Sequence, residues 1–457
     1  MTRTTEAPDS RAPFTTDTVQ IEAAIRAARG ARDRWAATPA AERGAMLGEA
    51  ADAVRAGADD LAATLEHETG RPLASGRAAV LAGAATLDQY AELGPLHRGR
   101  SLQGSPAATD FMIAQPRGVV VALTPWNDPV AIACGLLGAA LATGNTVLHK
   151  PSERCPRTGI MLGALMAGHF PDAVLQTVSG SGDVGALLAS SAQVDVLAHV
   201  GSSETGQRIA ATAARTGAKV LLENGGNDPL LIDADVDPGW AAEQAALGAF
   251  ANAGQICTSV ERVYVHRAIA ADFIDALSAR AAEWNTHPQP LVDSRHRAHV
   301  HDHVVDAVDH GAQVLVGGAI PDGEGAGYPA TVLIDCLPRM RVMREETFGP
   351  IAPVRIVPDF DEGLLEAAAG DYGLAATVLT GSMAHAQQAW RTLPVATVKI
   401  NAVFGGAPGG AAQPRGRSGT GFGYGPELLD EMTTVKVVHL SSAPGRPEEG
   451  TERARGQ

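Results

Sequence analysis

The sequence predicts an α/β fold built on parallel sheets, and three observations support that prediction. Residues 19–93 place apolar side chains at helical spacing, and from residue 116 short apolar strands alternate with helices. A second region with the same alternation runs from about 237 to 401. Such alternation is typical of a parallel sheet with helices on both faces, whose ligands bind at the carboxyl ends of the strands. With 457 residues, two or three domains are expected.

The elements follow in order along the chain. Helices are predicted at 19–36, 40–69 and 81–93, where Ala, Leu, Ile and Val recur three or four residues apart. Gly70 and the following Arg71-Pro72 give the second helix a normal ending. Five strands are then predicted, at 118–123, 145–150, 174–178, 194–200 and 218–222. Helices are predicted between these strands, including 132–142, 157–167 and one that begins near residue 186.

Composition excludes several classes of protein. The net charge of −15 argues against nucleic acid or an anionic membrane as a main partner. The first eighteen residues lack the apolar core of a secretion signal, and the run 130–141 is too short to span a bilayer. The four cysteines, Cys134, Cys155, Cys257 and Cys336, match neither a zinc site nor a disulfide scaffold. A cytoplasmic protein is therefore expected.

Two polar segments carry the central chemistry. Glu223 opens the glycine-rich turn 223–229, and Cys257 lies in the loop 254–258. A nucleophile and a base are the minimum needed to form a covalent acyl intermediate and hydrolyse it. The alternative for Cys257 is a buried structural cysteine, although a polar loop is an unusual place for one. The other three cysteines are expected to be inert.

Two loops follow buried strands. In the loop 124–129, two prolines hold Asn127, whose amide is a suitable donor to an oxyanion; the alternative is a rigid connector. In the segment 150–153, Lys150 and Glu153 are placed to hold ribose hydroxyls, and the carboxylate would disfavour a 2′-phosphate. The alternative for that segment is a surface ion pair.

Two glycine turns stand at strand–helix junctions. The turn 180–185 has the spacing G-x-G-x-x-G, with Gly182 and Gly185 as its later glycines, and the alternative is an ordinary turn. The turn 201–206 places Ser202 at a helix start, where simple capping is the alternative. Two such turns together favour a phosphate-bearing cofactor. The histidine-rich helix near 296–310 lacks a recognisable metal signature, so a solvated helix face and no metal are predicted.

In this order, the segments resemble the aldehyde dehydrogenase superfamily over about residues 19–438. The motifs that carry the resemblance are P-W-N-x-P at 125, K-P-S-E at 150, G-S-x-E-x-G at 201, E-x-G-G at 223, G-Q-x-C at 254, E-E-x-F-G-P at 345 and I-N at 400.

The resemblance implies roles for these residues. Cys257 would attack the aldehyde carbon, Asn127 would hold the oxygen, and Glu223 would activate the water that cleaves the thioester. NAD is the implied cofactor, with NADP possible. Its binding residues would be Trp126, Lys150, Ser152, Glu153, Gly182, Gly185, Ser202, Glu346 and Phe348.

The resemblance also implies an architecture. The expected fold has a Rossmann-like cofactor domain (1–97 and 118–222), an α/β catalytic domain (223–417) and a small β oligomerisation arm (98–117 and 418–445), with a disordered tail at 446–457. A homodimer or homotetramer is expected from the arm.

Several positions depart from the family pattern. Asn224 replaces the usual Leu after the catalytic acid, and Leu136 stands where many members carry a relay Lys. Gly423 replaces a second water-positioning acid, and Arg415 and Arg417 suggest a more cationic substrate mouth. These changes leave the nucleophile and the base intact but remove two side chains expected to take part in the proton relay.

The leading interpretation is an NAD-dependent, non-acylating oxidation of an aldehyde to a carboxylic acid. The alternatives are acyl transfer to coenzyme A and a cofactor-binding protein with little catalysis. Glu223 disfavours acyl transfer, because branches of that type commonly lack this acid. The sequence does not identify the aldehyde.

Overall fold

The computed structural model describes residues 15–323, 325–406 and 410–443. Four helices come first, and Asp17 begins the first of them by accepting the Gln20 N–H in a capping box. They are α1 (Thr18–Ala37), α2 (Ala40–Ala56), α3 (Ala58–Thr69) and α4 (Leu73–Leu96). The tail predicted at 446–457 lies outside the described residues.

The prediction of a single helix over 40–69 was wrong. Gly57 adopts φ −85° and ψ 10°, so the chain leaves the helix there and α3 begins at the next residue. A Cβ at Gly57 would lie 2.7 Å from Leu165 Cδ1, so the helix that carries Leu165 packs closely against this break. The apolar pattern continues across the break because both helices bury the same side against the core.

A small antiparallel sheet and the first parallel sheet follow along the chain. The small sheet contains β1 (Arg100–Leu102) and β2 (Ala108–Pro116). The parallel sheet and its helices are β3 (Val119–Leu123), α5 (Pro129–Ala142), β4 (Thr146–Lys150), α6 (Pro156–Ala167), β5 (Leu175–Thr177), α7 (Gly182–Ser190), β6 (Val196–Val200), α8 (Ser203–Thr216) and β7 (Lys219–Glu223).

Strand order creates a crevice in the first sheet. Its parallel strands run β7-β6-β3-β4-β5, so the chain reverses direction between β3 and β6. Alternate residues of β3 enter two apolar clusters, with Val120 on one face and Val121 on the other. Burial on both faces explains the continuous apolar run in the sequence. A ligand crevice is expected outside the carboxyl ends of β3 and β6.

A second sheet forms the other half of the fold, in the order β10-β11-β12-β9-β8-β14-β15. Its elements are β8 (Asp228–Ile232), α9 (Pro238–Phe250), a 3₁₀ turn (Ala251–Gly254), β9 (Val260–His266), α10 (Ala270–Trp284), α11 (Ser294–Asp309), β10 (Gln313–Val316), β11 (Thr331–Ile334), a 3₁₀ turn (Arg341–Met343), β12 (Ile351–Val357), α12 (Phe360–Ala368), β13 (Tyr372–Gly373), β14 (Ala375–Leu379), α13 (Met383–Thr392) and β15 (Thr397–Ile400).

The end of the described chain returns to the first half. It contains β16 (Arg415–Gly416), β17 (Gly419–Thr420), α14 (Glu427–Glu431) and β18 (Thr433–Ser441). β18 pairs with β2 along its whole length, and β17 pairs with β7 so that Gly419 lies opposite Glu223. The short β17 therefore lies against the end of the strand that carries the predicted base. Among the described residues, no helix is long and apolar enough to cross a membrane.

Candidate active site

A cavity of about 580 Å³ lies at the carboxyl ends of the first sheet, between the two halves of the fold. All twelve residues predicted from the sequence line this one cavity. They are Asn127, Glu223 and Cys257, with Trp126, Lys150, Ser152, Glu153, Gly182, Gly185, Ser202, Glu346 and Phe348.

Cys257 reaches the cavity from a loop with an unusual backbone. Asn252, Ala253 and Gly254 are all left-handed, with φ of 51°, 54° and 72°. At Gly254 a Cβ would lie 2.2 Å from the Gly349 carbonyl oxygen, so glycine is needed there. All four cysteines are free, and Cys257 alone has an exposed side chain whereas the other three are buried. An inert, buried role for Cys257 is therefore excluded.

The Cys257 thiol lies in electrostatically unfavourable surroundings for a thiolate. Its side chain is accessible from the cavity, yet the protein atoms around it raise the pKa to about 12, chiefly through desolvation. Nearby carboxyl groups raise the pKa further, with Glu223 making the largest contribution among them. The thiol is therefore protonated at neutral pH, and it would need a nearby base in order to act as a nucleophile.

Asn127 lies on the loop between β3 and α5. Its Nδ2 donates to the Gln255 carbonyl oxygen at 3.1 Å. An Asn amide has two N–H groups, so this bond fixes the amide and leaves the second N–H for another acceptor. On the backbone side, Arg71 donates to the Asn127 carbonyl oxygen and to Asp128 Oδ1, each at 3.1 Å. Hydrogen bonds thus hold both the side chain and the backbone of Asn127.

Glu223 is the last residue of β7. Burial raises its pKa to about 7, and its Oε1 accepts the Gly423 N–H at 3.1 Å. A Cβ at Gly423 would lie 2.2 Å from Glu223 Cγ, so no larger residue fits there with Glu223 in this position. The sequence suggested only the loss of an acid at residue 423, whereas the structure shows that its backbone N–H holds the Glu223 carboxyl group.

The other departures from the family pattern have structural explanations. Leu136 is 2% exposed and packs in the core, so that position offers no polar group to the site. Asn224 is buried and donates through Nδ2 to the Arg417 carbonyl oxygen at 3.0 Å. Arg415 is exposed on β16, and the Arg417 guanidinium stacks over Tyr372 beside a neighbouring cavity. Neither arginine lines the cavity of Cys257, so the prediction of a more cationic substrate mouth lacks support.

One end of the cavity offers two helix N-termini. Gly182 begins α7, earlier than predicted, and Ser202 caps α8 by accepting the Thr205 N–H at 3.4 Å. A Cβ at Gly182 would meet no protein atom within 4 Å, so the glycine leaves room that protein packing does not use. Such N-termini favour anionic groups, so these residues fit the pyrophosphate of a dinucleotide.

Lys150 and Glu153 lie beside those helix starts. Lys150 Nζ donates to the Pro151 carbonyl oxygen at 3.0 Å and lies 3.8 Å from Glu153 Oε2. The Lys150 side chain is only 7% exposed, and burial lowers its pKa. The buried ammonium and the half-exposed carboxylate differ from the simple surface ion pair considered as an alternative.

Glu346 and Phe348 form the opposite wall. Glu346 Oε1 accepts the Gly226 N–H at 3.2 Å, and burial raises the pKa of Glu346 well above its usual value. A Cβ at Gly225 would lie 1.9 Å from Glu346 Oε2, so the glycine permits this close approach. Phe348 has φ 53°, and its ring centre lies 5.5 Å from that of Trp126.

Two histidines of α11 also line this cavity, which the sequence did not predict. His296 Nε2 donates to the Phe348 carbonyl oxygen at 2.7 Å, and burial lowers the pKa of His296 to about 4. His299 lines the cavity one turn away. The prediction of a solvated helix face was therefore wrong, because His296 and His303 are buried. In the sequence, His296, His299 and His303 stand three and four residues apart, a spacing that places them on one face of the helix. Among the described residues, no group of three or more His, Cys, Asp or Glu residues is placed to hold a metal.

The fold and the cavity define an α/β oxidoreductase whose cleft, at the carboxyl ends of a parallel sheet, holds an exposed cysteine. The family model for the aldehyde dehydrogenase family matches residues 7–438, so the chain belongs to that family. The fold class and the resemblance predicted from the sequence are both confirmed.

Known relatives agree in class but differ in substrate. Benzaldehyde dehydrogenase [NAD(+)] of Pseudomonas putida is 32% identical over 93% of this chain and 89% of its own length. Lactaldehyde dehydrogenase of Escherichia coli strain K12 is 31% identical over 92% of this chain and 90% of its own length. The crystal structure of Staphylococcus aureus betaine aldehyde dehydrogenase with NAD+ has a TM-score of 0.91 and 29% identity, covering 95% of this chain and 90% of that one.

Proposed function

We propose that this protein oxidises an aldehyde to the carboxylic acid with NAD, through a covalent intermediate on Cys257. The observation that carries the proposal is that one cavity holds an accessible cysteine, a buried carboxyl group with pKa about 7 and two helix N-termini. The NAD named for two of the relatives supports the choice of cofactor.

The first step is attack by Cys257 sulfur on the aldehyde carbon. Glu223 is the proposed base that accepts the thiol proton, because it lines the same cavity and its pKa of about 7 leaves it partly ionised at neutral pH. The free N–H of Asn127 and the Cys257 backbone N–H donate to the oxygen of the resulting thiohemiacetal. NAD, when bound, would supply the hydride acceptor. Loss of hydride from the thiohemiacetal carbon leaves a thioester on Cys257.

The second step is hydrolysis of that thioester. Once Glu223 has lost to solvent the proton that it took from the thiol, it takes a proton from water, which attacks the acyl carbon; the acid leaves, and that second proton passes to the departing Cys257 sulfur. The Gly423 N–H holds one Glu223 oxygen and so leaves the other for the water. With Leu136 in the core, no relay residue from that position assists. Deacylation therefore depends on Glu223.

The decisive test is NADH production by the purified protein across aromatic, hydroxylated, cationic and acidic aldehydes. This range is needed because the relatives named above act on aldehydes of different chemistry. The proposal expects turnover of at least one class without added coenzyme A. Product that forms only when coenzyme A is present would instead establish the acyl-transfer alternative. An absence of turnover together with NAD binding would establish a cofactor-binding protein.

We also propose that 98–117 and 418–445 form an oligomerisation arm, beside a cofactor domain (1–97, 118–222) and a catalytic domain (223–417); β17, within 418–445, pairs with β7 and so joins the arm to the cofactor domain. β18 is an edge strand with exposed Val435, Val437 and Leu440, and an edge of this kind favours pairing with another chain. A dimer or tetramer is expected by sedimentation. The free cysteines and the charge of −15 suit a cytoplasmic protein without nucleic-acid partners.

The pH profile should follow Glu223. Burial raises its pKa from 4.5 to about 7, and only the ionised form is a base, so kcat should fall as pH drops through 7. The measurement is steady-state NADH production from pH 5.5 to 9. A flat profile across neutrality would contradict the role of Glu223 as the base in the slow step.

Cofactor preference should depend on Glu153. Exchange for alanine removes a carboxylate that would repel a 2′-phosphate, so the ratio of kcat/KM for NADP over NAD should rise roughly 10-fold. Glu22→Ala, on the exposed face of α1, removes the same charge far from the cavity and serves as the control. An unchanged ratio in Glu153→Ala would argue against ribose recognition by this residue.

A further inference from the structure

Glu261 is a buried carboxylate outside the predicted site, and it binds the loop that forms one wall of the cavity. It is the second residue of β9 and is only 6% exposed. Its Oε2 accepts the Thr347 N–H at 2.6 Å, and its Oε1 accepts the Phe348 N–H at 2.8 Å. A buried carboxylate is costly unless its oxygens are hydrogen-bonded, and here two consecutive amides of one loop supply the donors.

The bound loop needs such anchors because its backbone is strained. Phe348 is left-handed at φ 53°, a conformation that is unfavourable for a non-glycine residue. Besides Glu261, the Asn227 amide donates to the Glu345 carbonyl oxygen at 3.0 Å, and His296 donates to that of Phe348 at 2.7 Å. These contacts surround Glu346, the loop residue whose carboxyl group faces the cavity.

Glu261 also connects the loop to the nucleophile. β9 begins at Val260, three residues after Cys257, so the strand that follows the cysteine loop carries the carboxylate that holds the cofactor wall. Movement of the wall relative to Cys257 is thereby limited to what two short hydrogen bonds allow. We infer that Glu261 is a positioning residue, which sets the distance between the Glu346–Phe348 wall and Cys257 and so determines how tightly NAD is held. This inference rests on the proposed function.

Glu261→Gln tests the role with little change in size. The amide keeps one acceptor oxygen but turns an N–H donor toward one of the two loop amides, so one hydrogen bond is lost. The Kd for NAD, measured by calorimetry without substrate, and the KM for NAD should both rise about 10-fold, the effect of one such bond. At saturating NAD, kcat should change much less than KM. The rate of Cys257 alkylation by iodoacetamide should stay near that of the unaltered protein.

Glu68→Gln is the matched control. Glu68 likewise accepts two consecutive amides, those of Arg157 and Thr158 at 2.8 and 2.9 Å, but at the start of α6. Both exchanges are expected to lower Tm, whereas only Glu261→Gln should shift the binding of NAD. Equal effects of the two variants on the Kd for NAD would overturn the positioning role.

A second variant keeps the test decisive if Glu261→Gln fails to fold. Asn227→Ala removes the tether to Glu345 and should raise the KM for NAD in the same direction. An unchanged KM in that variant would count against loop positioning. If the unaltered protein neither binds NAD nor oxidises aldehydes, the proposed function fails. If it does both and the variants match the control, only the role of Glu261 fails.

Discussion

Replacing Cys257 with alanine is expected to abolish aldehyde oxidation while leaving NAD binding intact. Cys257 carries the exposed thiol of the cavity and is the proposed nucleophile, and the other three cysteines are buried. Without it no thiohemiacetal forms, so kcat should fall by on the order of 10⁴-fold or more, as for other covalent nucleophiles. The measurement is NADH production by the variant at saturating aldehyde and NAD.

Cys336→Ala provides the control for that experiment. Cys336 is buried, and burial raises its pKa to about 12, so it is inert and lies outside the cavity. The control variant should keep kcat close to that of the unaltered protein even if its Tm falls. Residual turnover of more than a few per cent in Cys257→Ala would show that another group carries the acyl intermediate.

The second large effect is expected for Glu223→Gln. The amide cannot take a proton from water, so hydrolysis of the thioester should slow by about 10²–10⁴-fold. In rapid mixing, NADH should appear in a burst of about one per active site, followed by a slow steady state. The rate of the burst should also fall, since Glu223 accepts the Cys257 proton, while its amplitude remains.

Glu431→Gln is the matched control for Glu223→Gln. Glu431 Oε1 accepts the Phe422 N–H at 3.1 Å, just as Glu223 Oε1 accepts the neighbouring Gly423 N–H at 3.1 Å. Glu431 is paired with Lys219 and lies outside the cavity, so its exchange should leave the kinetics unchanged. A Glu223 variant that shows no burst and retains full steady-state turnover would assign hydrolysis to another base.

The sequence predicted the parallel architecture well because buried strands produce unmistakable local patterns. β3 and β4 are apolar on both faces and are bounded by turns, so their positions could be predicted within one residue. The break at Gly57 was missed, because the apolar spacing continues across it and a single glycine is compatible with a continuous helical pattern. The early start of α7 was missed because glycine and serine obscure helical spacing.

For the site, the sequence alone determined the kinds of groups present. A cysteine, an asparagine amide, a glutamate and glycine turns stand in short motifs, because each proposed chemical task restricts the residue type within a few positions. The family followed from the order of those motifs. The side chains of the α11 histidines were misjudged because helical spacing shows which residues share a face but not what covers that face.

Only the tertiary structure determined the pKa values and the hydrogen-bond partners of those groups. Gly423 holds Glu223 from 200 positions away, and Glu261 reaches Thr347 across 86 positions. The pKa of about 7 for Glu223 arises from desolvation by residues distant in the chain. Motifs depend on local chemistry, whereas hydrogen-bond partners and burial depend on which distant segments the fold brings together. The sequence therefore predicted Cys257 and Glu223 as the nucleophile and the base, and tertiary packing determined their pKa values and positions.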